Sequence, residues 1–570
     1  MTEYTYPLPQ ASAPPPRQRI WGGRWFNGWF LGLLAVAFVV ALPLGTIVGI
    51  ALKPAPDVWR HLFETVLWPY VFTTLTLGAG VGVGTFLIGT LTAWLVTYYR
   101  FPGRNMFEWA LLVPLAVPAY VIAYTYTDLL EYAGPVQGML RDIFGWTSAR
   151  DYWFPEIRSV GGAILMFTLV LYPYVYLLAR SAFLQQSSGV LEVSRTLGRG
   201  PWRTFWAVAL PMARPAIVVG LSLAVLETLN DFGTVDYFAV RTLTYGIFDA
   251  WFGLYSVEAA AQLALSLLLL VMVVLALERH ARRGRRFQEG RARFKPMAGF
   301  VMTGPQAAVA CVCCLLPVLL GFVVPAGVLV RYALINYETS LNGTFFAAAL
   351  HSVTLAGAAA VLAVAIGIFM AYALRLQESK LLRGLAWISS LGYGMPGAIL
   401  AVGAVIPVAW FDNQVDAFMR ATFGISTGLL LSGTAFAVVM GYVVRFLVLS
   451  FGTMESGLAK VTRNMDDAAR SLGYGPFAVL RRVHLPMLRA SMLTAGLLVF
   501  VDCMKELPMT LLLRPFNYET LSTFVYQFAK DELLEDAALG ALTIVAVGIG
   551  PVILLTRAIR QSRPGQGADS

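Results

Sequence analysis

RTLGRGPWRTFWAVALPMAR, Arg195 to Arg214, returns as RSLGYGPFAVLRRVHLPMLR, Arg470 to Arg489, 275 residues later and without a gap; half of the twenty positions are identical. Each copy reads as a short amphipathic helix, a sharp turn and a second helix. Glu192 to Leu197 and Asp467 to Leu472 are helix-compatible stretches with an acidic first residue. Gly198 and Gly473 follow, and glycine past a helix end supplies the left-handed residue that closes the last turn. Gly200-Pro201 and Gly475-Pro476 make a turn, with proline placed to begin the next helix. Leu210-Pro211 and Leu485-Pro486 then open a long apolar run. A polar connector that matches this well between two copies is under more constraint than joining two segments requires.

The repeat extends outward from these stretches. Thr76-Leu77 matches Thr354-Leu355, Gly89 matches Gly367, Ala93 matches Ala371 and Pro118 matches Pro396, all 278 residues apart. The basic stretch Glu278 to Lys295 divides the apolar runs six and six. Those runs set the class of the molecule. Hydrophobic residues make up 58% of the 570 and charged residues 13%, with mean hydropathy +0.68; soluble chains carry about twice that charge. Several runs exceed the roughly 18 residues with which a helix crosses a bilayer. They are continuous rather than alternating, which excludes a barrel and leaves helices as the spanning structure.

The expected fold is therefore an all-α polytopic membrane protein. About twelve transmembrane helices are predicted, near 29–51, 70–98, 107–129, 160–180, 213–231, 258–278, 306–330, 351–374, 385–411, 428–450, 489–507 and 537–556. The fifth and eleventh are the least sharply defined, because acidic residues fall near their distal ends. Six helices per half give two parallel repeats about an axis along the membrane normal, with a natural path between them. Most of the 42 Lys and Arg fall on one side, including Arg17, Arg19, Arg24, Arg100, Arg104, Arg279 to Lys295, Arg557, Arg560 and Arg563. By the positive-inside rule that side is cytoplasmic and holds both termini. The net charge of +10 is thus topology and contact with anionic headgroups; no recognition motif accompanies it, so no nucleic-acid partner is expected. Met1 to Arg19 is Pro-rich and polar, without the apolar core of a secretory signal.

Cys311, Cys313, Cys314 and Cys503 form no CxxC or Cys/His ligand spacing, so buried inert thiols are expected and no metal site. No G-x4-G-K-[ST] occurs, so no phosphate-cradling loop is present. Gly78, Gly80, Gly82 and Gly84 lie within an apolar run and serve close helix packing. No catalytic residue is assigned, and the chain reads as no enzyme by itself.

The repeated loop resembles the signature E-A-A-x3-G-x9-I-x-L-P of bacterial ATP-binding-cassette import permeases. Glu192, Gly198, Val208, Leu210 and Pro211 fit it, as do Asp467, Ala468, Ala469, Gly473, Val483, Leu485 and Pro486; Arg195 and Arg470 sit at matching places. The departures are Val193-Ser194 for Ala-Ala, Asp467 for Glu and valine for isoleucine. The resemblance implies the MetI-like permease fold and a loop whose helix sits in a groove on a separate ATPase, present in two copies. ATP and Mg would be bound by that partner, and this chain would bind no cofactor. On this reading residues 1–26 are a disordered cytoplasmic tail and 27–278 a first permease domain with its coupling loop at 182–212. Residues 279–302 are a basic linker, 303–556 a second domain with its loop at 451–488, and 557–570 a cytoplasmic tail.

Longer stretches are similar to the fused permeases of ferric-iron importers: FPGRNMFEWALLVPLAVPAYVIAYTY from Phe101, LNDFGTVDYFAVRTLTYGIFDAWFGL from Leu229, SSLGYGMPGAILAVG from Ser389 and DCMKELPMTLLLRPFNYETLSTFVYQFAKDE from Asp502. This implies Fe(III) as cargo, a periplasmic ferric-binding protein and the inner membrane. His351 departs from the group's usual asparagine and is read as structural. The residues add an independent hint. Glu227 and Asp502 are equivalent at the 275 offset, followed by Asp231 and Glu506. Sixteen residues beyond Pro211 is about 24 Å of helix, which places Glu227 in the extracytoplasmic half. Acids at that depth face the bundle interior or water, and carboxylates suit a hard cation. The competing reading pairs Lys505 with a carboxylate at a helix end. Thiamine, phosphonate or polyamine cargo keeps the same architecture; an ion-gradient transporter leaves the two matched loops unexplained, and the proline- and glycine-broken third and ninth helices argue against a membrane scaffold.

Overall fold

The computed structural model describes residues 28–53, 60, 63–186, 194, 196–198, 200–282, 300–377 and 379–561. The expected tail 1–26, most of the linker 279–302 and the last residues of the chain lie outside them. Twelve long helices organise the described chain. In the first half they are α1 (Gly28–Ala51), α2 (Leu67–Tyr98), α3 (Ala119–Leu130), α4 (Val160–Gln185), α5 (Leu210–Asn230) and α6 (Val257–Arg282). In the second they are α7 (Pro305–Ile335), α8 (Gly343–Leu376), α9 (Gly397–Phe423), α10 (Ala435–Ala459), α11 (Arg489–Lys505) and α12 (Leu534–Gln561). Ten are long and apolar enough to cross a membrane by themselves, and up to twelve spans result if each of two bent helix pairs counts as one.

These helices are apolar around their whole circumference, and size rather than polarity separates their faces. On α8, Ala348, Ser352, Ala356, Ala359, Ala363, Gly367 and Ala371 recur at helical spacing and are buried, while Phe346, Leu350, Val353 and Val361 point outward. Small residues let backbones approach where lipid offers no hydrophobic drive between helices. In α2, Gly80 and Gly84 face Ile164 and Thr168 of α4, while Gly78 and Gly82 face Val225 of α5. Gly89 and Gly367, 278 apart, do the same work in both halves. A Cβ on Gly89 would lie 2.9 Å from the Tyr176 nitrogen, and one on Gly367 3.0 Å from the Phe451 nitrogen.

The repeat is visible atom by atom. The Leu243 amide donates to Thr74 Oγ1 at 2.9 Å, and the Leu521 amide to Ser352 Oγ at 2.6 Å, both partners shifted by 278. Single π-turns occupy Phe205–Ala209 and Leu480–His484, shifted by 275. Yet the halves interlock. α1 packs on α9 and on Lys380–Ser389 of the second half, and α7 packs on α2, α3 and the turn Val113–Ala116 of the first. Tyr99–Arg100 pairs in parallel with Phe300–Val301 as the two short strands among the described residues.

The bounds of the third and ninth predicted helices are corrected, whereas the eleventh, expected near 489–507, runs over Arg489–Lys505. The third divides into Arg104–Ala110, a 3-10 turn over Val113–Ala116, and α3, with a 91° bend between Arg104–Ala116 and Ala119–Phe144. The ninth begins at Gly397, twelve residues after the expected 385, and Lys380–Ser389 is a separate helix before a 3-10 turn over Leu391–Gly394. Proline causes both breaks. Pro118 and Pro396 lack an N–H and force the preceding residue out of the helical region; Val117 has ψ 122° and Met395 ψ 97°. The tenth helix correspondingly starts later, at Ala435. In the eleventh, Pro476–Met487 meets α11 at 75°, whereas the equivalent Trp202–Asn230 is one span.

Valine at Gly89 or Gly367 is expected to destabilise the protein by about 1–3 kcal/mol per site through overpacking. Thermal unfolding in detergent should show it against Gly357→Val, where a Cβ meets nothing within 4 Å. Equal midpoints for all three would refute close approach as the role of the pair.

Candidate functional site

Where the proline breaks turn the chain inward, the two halves enclose a cavity of about 110 Å³. Pro118 and Tyr120 line it from α3, and Glu227, Asp231, Asp502 and Glu506 all border it, joined by Arg445 and Lys505. The four acids singled out by the repeat therefore share one space. Continuity of α5 carries Glu227 to its far end.

The acids differ in their partners. Glu506 Oε1 accepts from Arg445 Nη1 at 2.9 Å, and both side chains are almost wholly buried. It also accepts from the Met509 amide at 3.1 Å, while Asp231 accepts from the Thr234 amide at 2.8 Å. These bonds are equivalent at the 275 offset, and each caps the short helix that follows. Asp502 pairs with Lys505 at 3.4 Å, which realises the helix-end pairing for that residue. Among the described residues Glu227 makes no ion pair or hydrogen bond through its side chain. The lining thus brings four acidic side chains together with two basic ones. Among the described residues, no group of three His, Cys, Asp or Glu side chains is placed to hold a metal ion.

Sequence reasoning missed Arg445, which lies inside an apolar run and has Val170 at its repeat position. It also missed Gly397, the first residue of α9. A Cβ there would run into Arg445 Nη1 and Glu506 Oε1, so the ion pair fits only because glycine leaves the space. The Gly397 amide donates to Asn230 Oδ1 across the halves. A second buried pair, Arg180 with Glu108, belongs to the first half and likewise has no repeat counterpart.

The matched loops lie at the positive-inside end. Glu192 and Arg195 fall outside the described residues. Gly198 and Gly473 take φ of 77° and 82°, as a left-handed terminator requires. Helix Arg463–Ser471 presents Asp467 and Ala468 outward and buries Asp466 and Ala469. Arg470 reaches Asp467 at 3.4 Å. Leu210 opens α5, but Leu485 and Pro486 belong to a short turn before the bend into α11. Exposed apolar side chains recur on both loops: Leu197 and Leu472 are 72% and 75% exposed, and Trp202 and Phe477 55% and 70%. The repeat signal could have found these, since each pair is 275 apart.

The other singled-out residues are structural. His351 stacks on Tyr518 at 3.7 Å and its Nδ1 meets the Glu519 carbonyl at 2.9 Å. All four cysteines are free; Cys314 and Cys503 are buried, whereas Cys311 and Cys313 are only partly so, a correction to the expectation of four buried thiols.

Residues 85–287 match the family described as binding-protein-dependent transport system inner membrane component. That match falls within the first half of the chain and the start of the basic stretch that follows it. Among similar proteins, the Fe(3+)-transport system permease protein FbpB 2 of Haemophilus influenzae is 25% identical over 87% of this chain and 91% of its own length. The probable ABC transporter permease protein y4fN of Sinorhizobium fredii is 24% identical over 85% of the chain and 84% of its own. The sulfate transport system permease protein CysT of Escherichia coli is 28% identical, over 36% of the chain and 72% of its own. The permease is a multi-pass membrane protein, and two of these relatives span both halves.

Arg445→Met would leave Glu506 buried without its counter-charge and is expected to destabilise the permease by about 3–5 kcal/mol. Arg445→Met/Glu506→Met should regain most of that loss in thermal unfolding. A double variant no more stable than the single would show that the pair is not held by charge compensation.

Proposed function

We propose that this chain is the translocation subunit of an importer that passes Fe(III) across the inner membrane by alternating access. A periplasmic ferric-binding protein would deliver the ion, and a separate ATPase, in two copies that hold the ATP and Mg, would drive the cycle. The observation that carries the cargo reading is the charge of the cavity: four carboxylates against Arg445 and Lys505. Focused negative charge concentrates cations and repels anions, so an oxyanion such as sulfate meets an unfavourable lining. Carboxylate oxygen is also a suitable ligand for a hard cation. Glu227 carries this role most directly because among the described residues its side chain makes no ion pair, with Asp502 opposite it by repeat symmetry.

The coupling reading rests on the two cytoplasmic loops. Leu197 and Trp202, repeated as Leu472 and Phe477, form matched exposed apolar faces on the two loops, and exposed apolar patches mark contact sites. Asp467 and Arg470, with Glu192 and Arg195 in the first copy, would supply the polar rim.

Radioactive iron uptake by cells with and without the chain tests the cargo. Glu227→Gln/Asp502→Asn should lower uptake by about tenfold or more while the ATPase still co-purifies; unchanged uptake rejects the acidic path. Leu197→Asp and Leu472→Asp should each reduce recovery of the ATPase in pull-down, and full recovery with both substitutions present would reject docking at these faces.

A further inference from the structure

Two ion pairs bridge the halves on the extracytoplasmic side of the cavity. Arg158, just before α4, contacts Glu131 of its own half at 2.5 Å and Glu532 of the other at 3.0 Å. Lys530 contacts Asp236 of the first half at 3.2 Å, and Asp236 also accepts from the Tyr526 hydroxyl at 2.5 Å. Glu131 follows α3 eleven residues after Tyr120, about 16 Å farther along the helix direction. Between the ion pairs and the cavity lies a column of rings. Arg158 sits 4.7 Å over Tyr237, Tyr237 meets Tyr124 at 4.5 Å, and Tyr124 meets Tyr120, a lining residue, at 5.8 Å.

The backbone at Glu532 adds a second observation. Helix Leu521–Lys530 ends with the Leu533 amide on the Phe528 carbonyl and the Glu532 amide on the Ala529 carbonyl. That is the Schellman arrangement, in which the left-handed residue is usually glycine. Here it is Glu532, at φ 61°, a conformation in which a side chain is disfavoured. The chain keeps a glutamate where glycine would relax the turn, and that glutamate is the one that reaches Arg158.

We propose that Arg158–Glu532 and Lys530–Asp236 are a latch that holds the extracytoplasmic mouth of the cavity shut and must part before cargo enters. The inference rests on the cavity being the cargo path. The latch suits a gate because its groups are partly exposed: Glu532 is 69% and Lys530 59% exposed. Such pairs are weak and screened by salt, so a docking partner can break them.

The test uses the full-length chain with its ATPase in spheroplasts, without ATP turnover. A cysteine introduced at Leu171, which lines the cavity, is reacted with a membrane-impermeant maleimide from outside, and labelling of the chain lacking that cysteine is subtracted. Arg158→Gln and Lys530→Gln should each raise the labelling rate, by up to about fivefold per pair removed, while Arg158→Lys and Lys530→Arg should stay near the parent. Glu532→Gly relaxes the backbone yet removes one arm of the latch, so it should label faster while unfolding at the same or higher temperature. If Arg158→Gln does not accumulate, Glu532→Gly decides the matter. Labelling unchanged in Glu532→Gly and Lys530→Gln overturns the latch. If labelling responds as expected but no variant carries iron, the latch stands and the cargo reading fails.

Discussion

Arg445 and Glu506 meet where neither charge has easy recourse to water, and much of the central architecture follows from keeping them together. A buried ion is tolerated only with a counter-charge and further hydrogen bonds. Glu506 has both, from Arg445 and from the Met509 amide, and it ends α11 by capping the helix that follows. The pair fits because Gly397 opens α9 without a side chain, and the Gly397 amide is held by Asn230 of the first half. One charge pair therefore fixes the start of α9, the middle of α10, the end of α11 and the end of α5. It also engages one of the four cavity acids, and with Asp502 on Lys505 it leaves Glu227 and Asp231 without an ion pair among the described residues.

The parts of this arrangement legible in the sequence are those that repeat or stay apolar over a long run. Helix existence, the two six-helix halves, the glycine-terminated loops and the convergence of Glu227, Asp231, Asp502 and Glu506 all belong to that class. The displaced start of α9 does not. Residues 385–396 carry no charged side chain and join the apolar run from Gly397 without a polar gap, so the boundary is easily set too early; Lys380 and Arg383 in the separate helix, and Pro396, mark the break. The buried pairs were equally hidden, because Arg180 and Glu108 lie 72 residues apart and Arg445 and Glu506 lie 61 apart. Neither has a counterpart in the other half, so a search for repeats passes over them. The π-turns at Phe205–Ala209 and Leu480–His484 insert no residue that one copy has and the other lacks, so their registered sequences gave no sign of them.

Interlocking changes what the two halves mean physically. The basic stretch after α6 divides the sequence, but α1 rests on the second half and α7 on the first. The bodies that can move against each other are thus not the two stretches of sequence. α7 packs on α12 of its own half as well as on the first half, and on the proposed alternating access the contacts that part would be those around the central cavity. Charge pairs between partly exposed groups can open and reform there, whereas the packed glycine contacts of α2 with α4 and α8 with α10 lie within one half and resist shear.

The two loops, matched in register, are held from beneath by different chemistry among the described residues. Arg375, at the end of α8, donates to Asp466 at 2.8 Å and to the carbonyls of Leu458 and Val461, and Asp466 also meets His484 Nε2 at 2.7 Å. This network joins α8, the end of α10, the loop helix and the π-turn through charge. The corresponding residues of the first half are Thr97, Leu191 and Ala209, which cannot build it. There Tyr98 donates to Gln186, Gln186 donates to the Ala209 carbonyl, and Ser194 meets Thr204 at 3.0 Å, all neutral bonds. Charge-assisted hydrogen bonds are roughly twice as strong as neutral ones, so among the described residues the second loop has the stronger of these anchors. The spans reverse that order: the first loop runs straight into α5, while the second bends by 75° before α11. The exchange of Glu for Asp at the loop's acidic position is therefore the smaller difference between the copies, and the larger one lies in how each loop is anchored to the helices behind it.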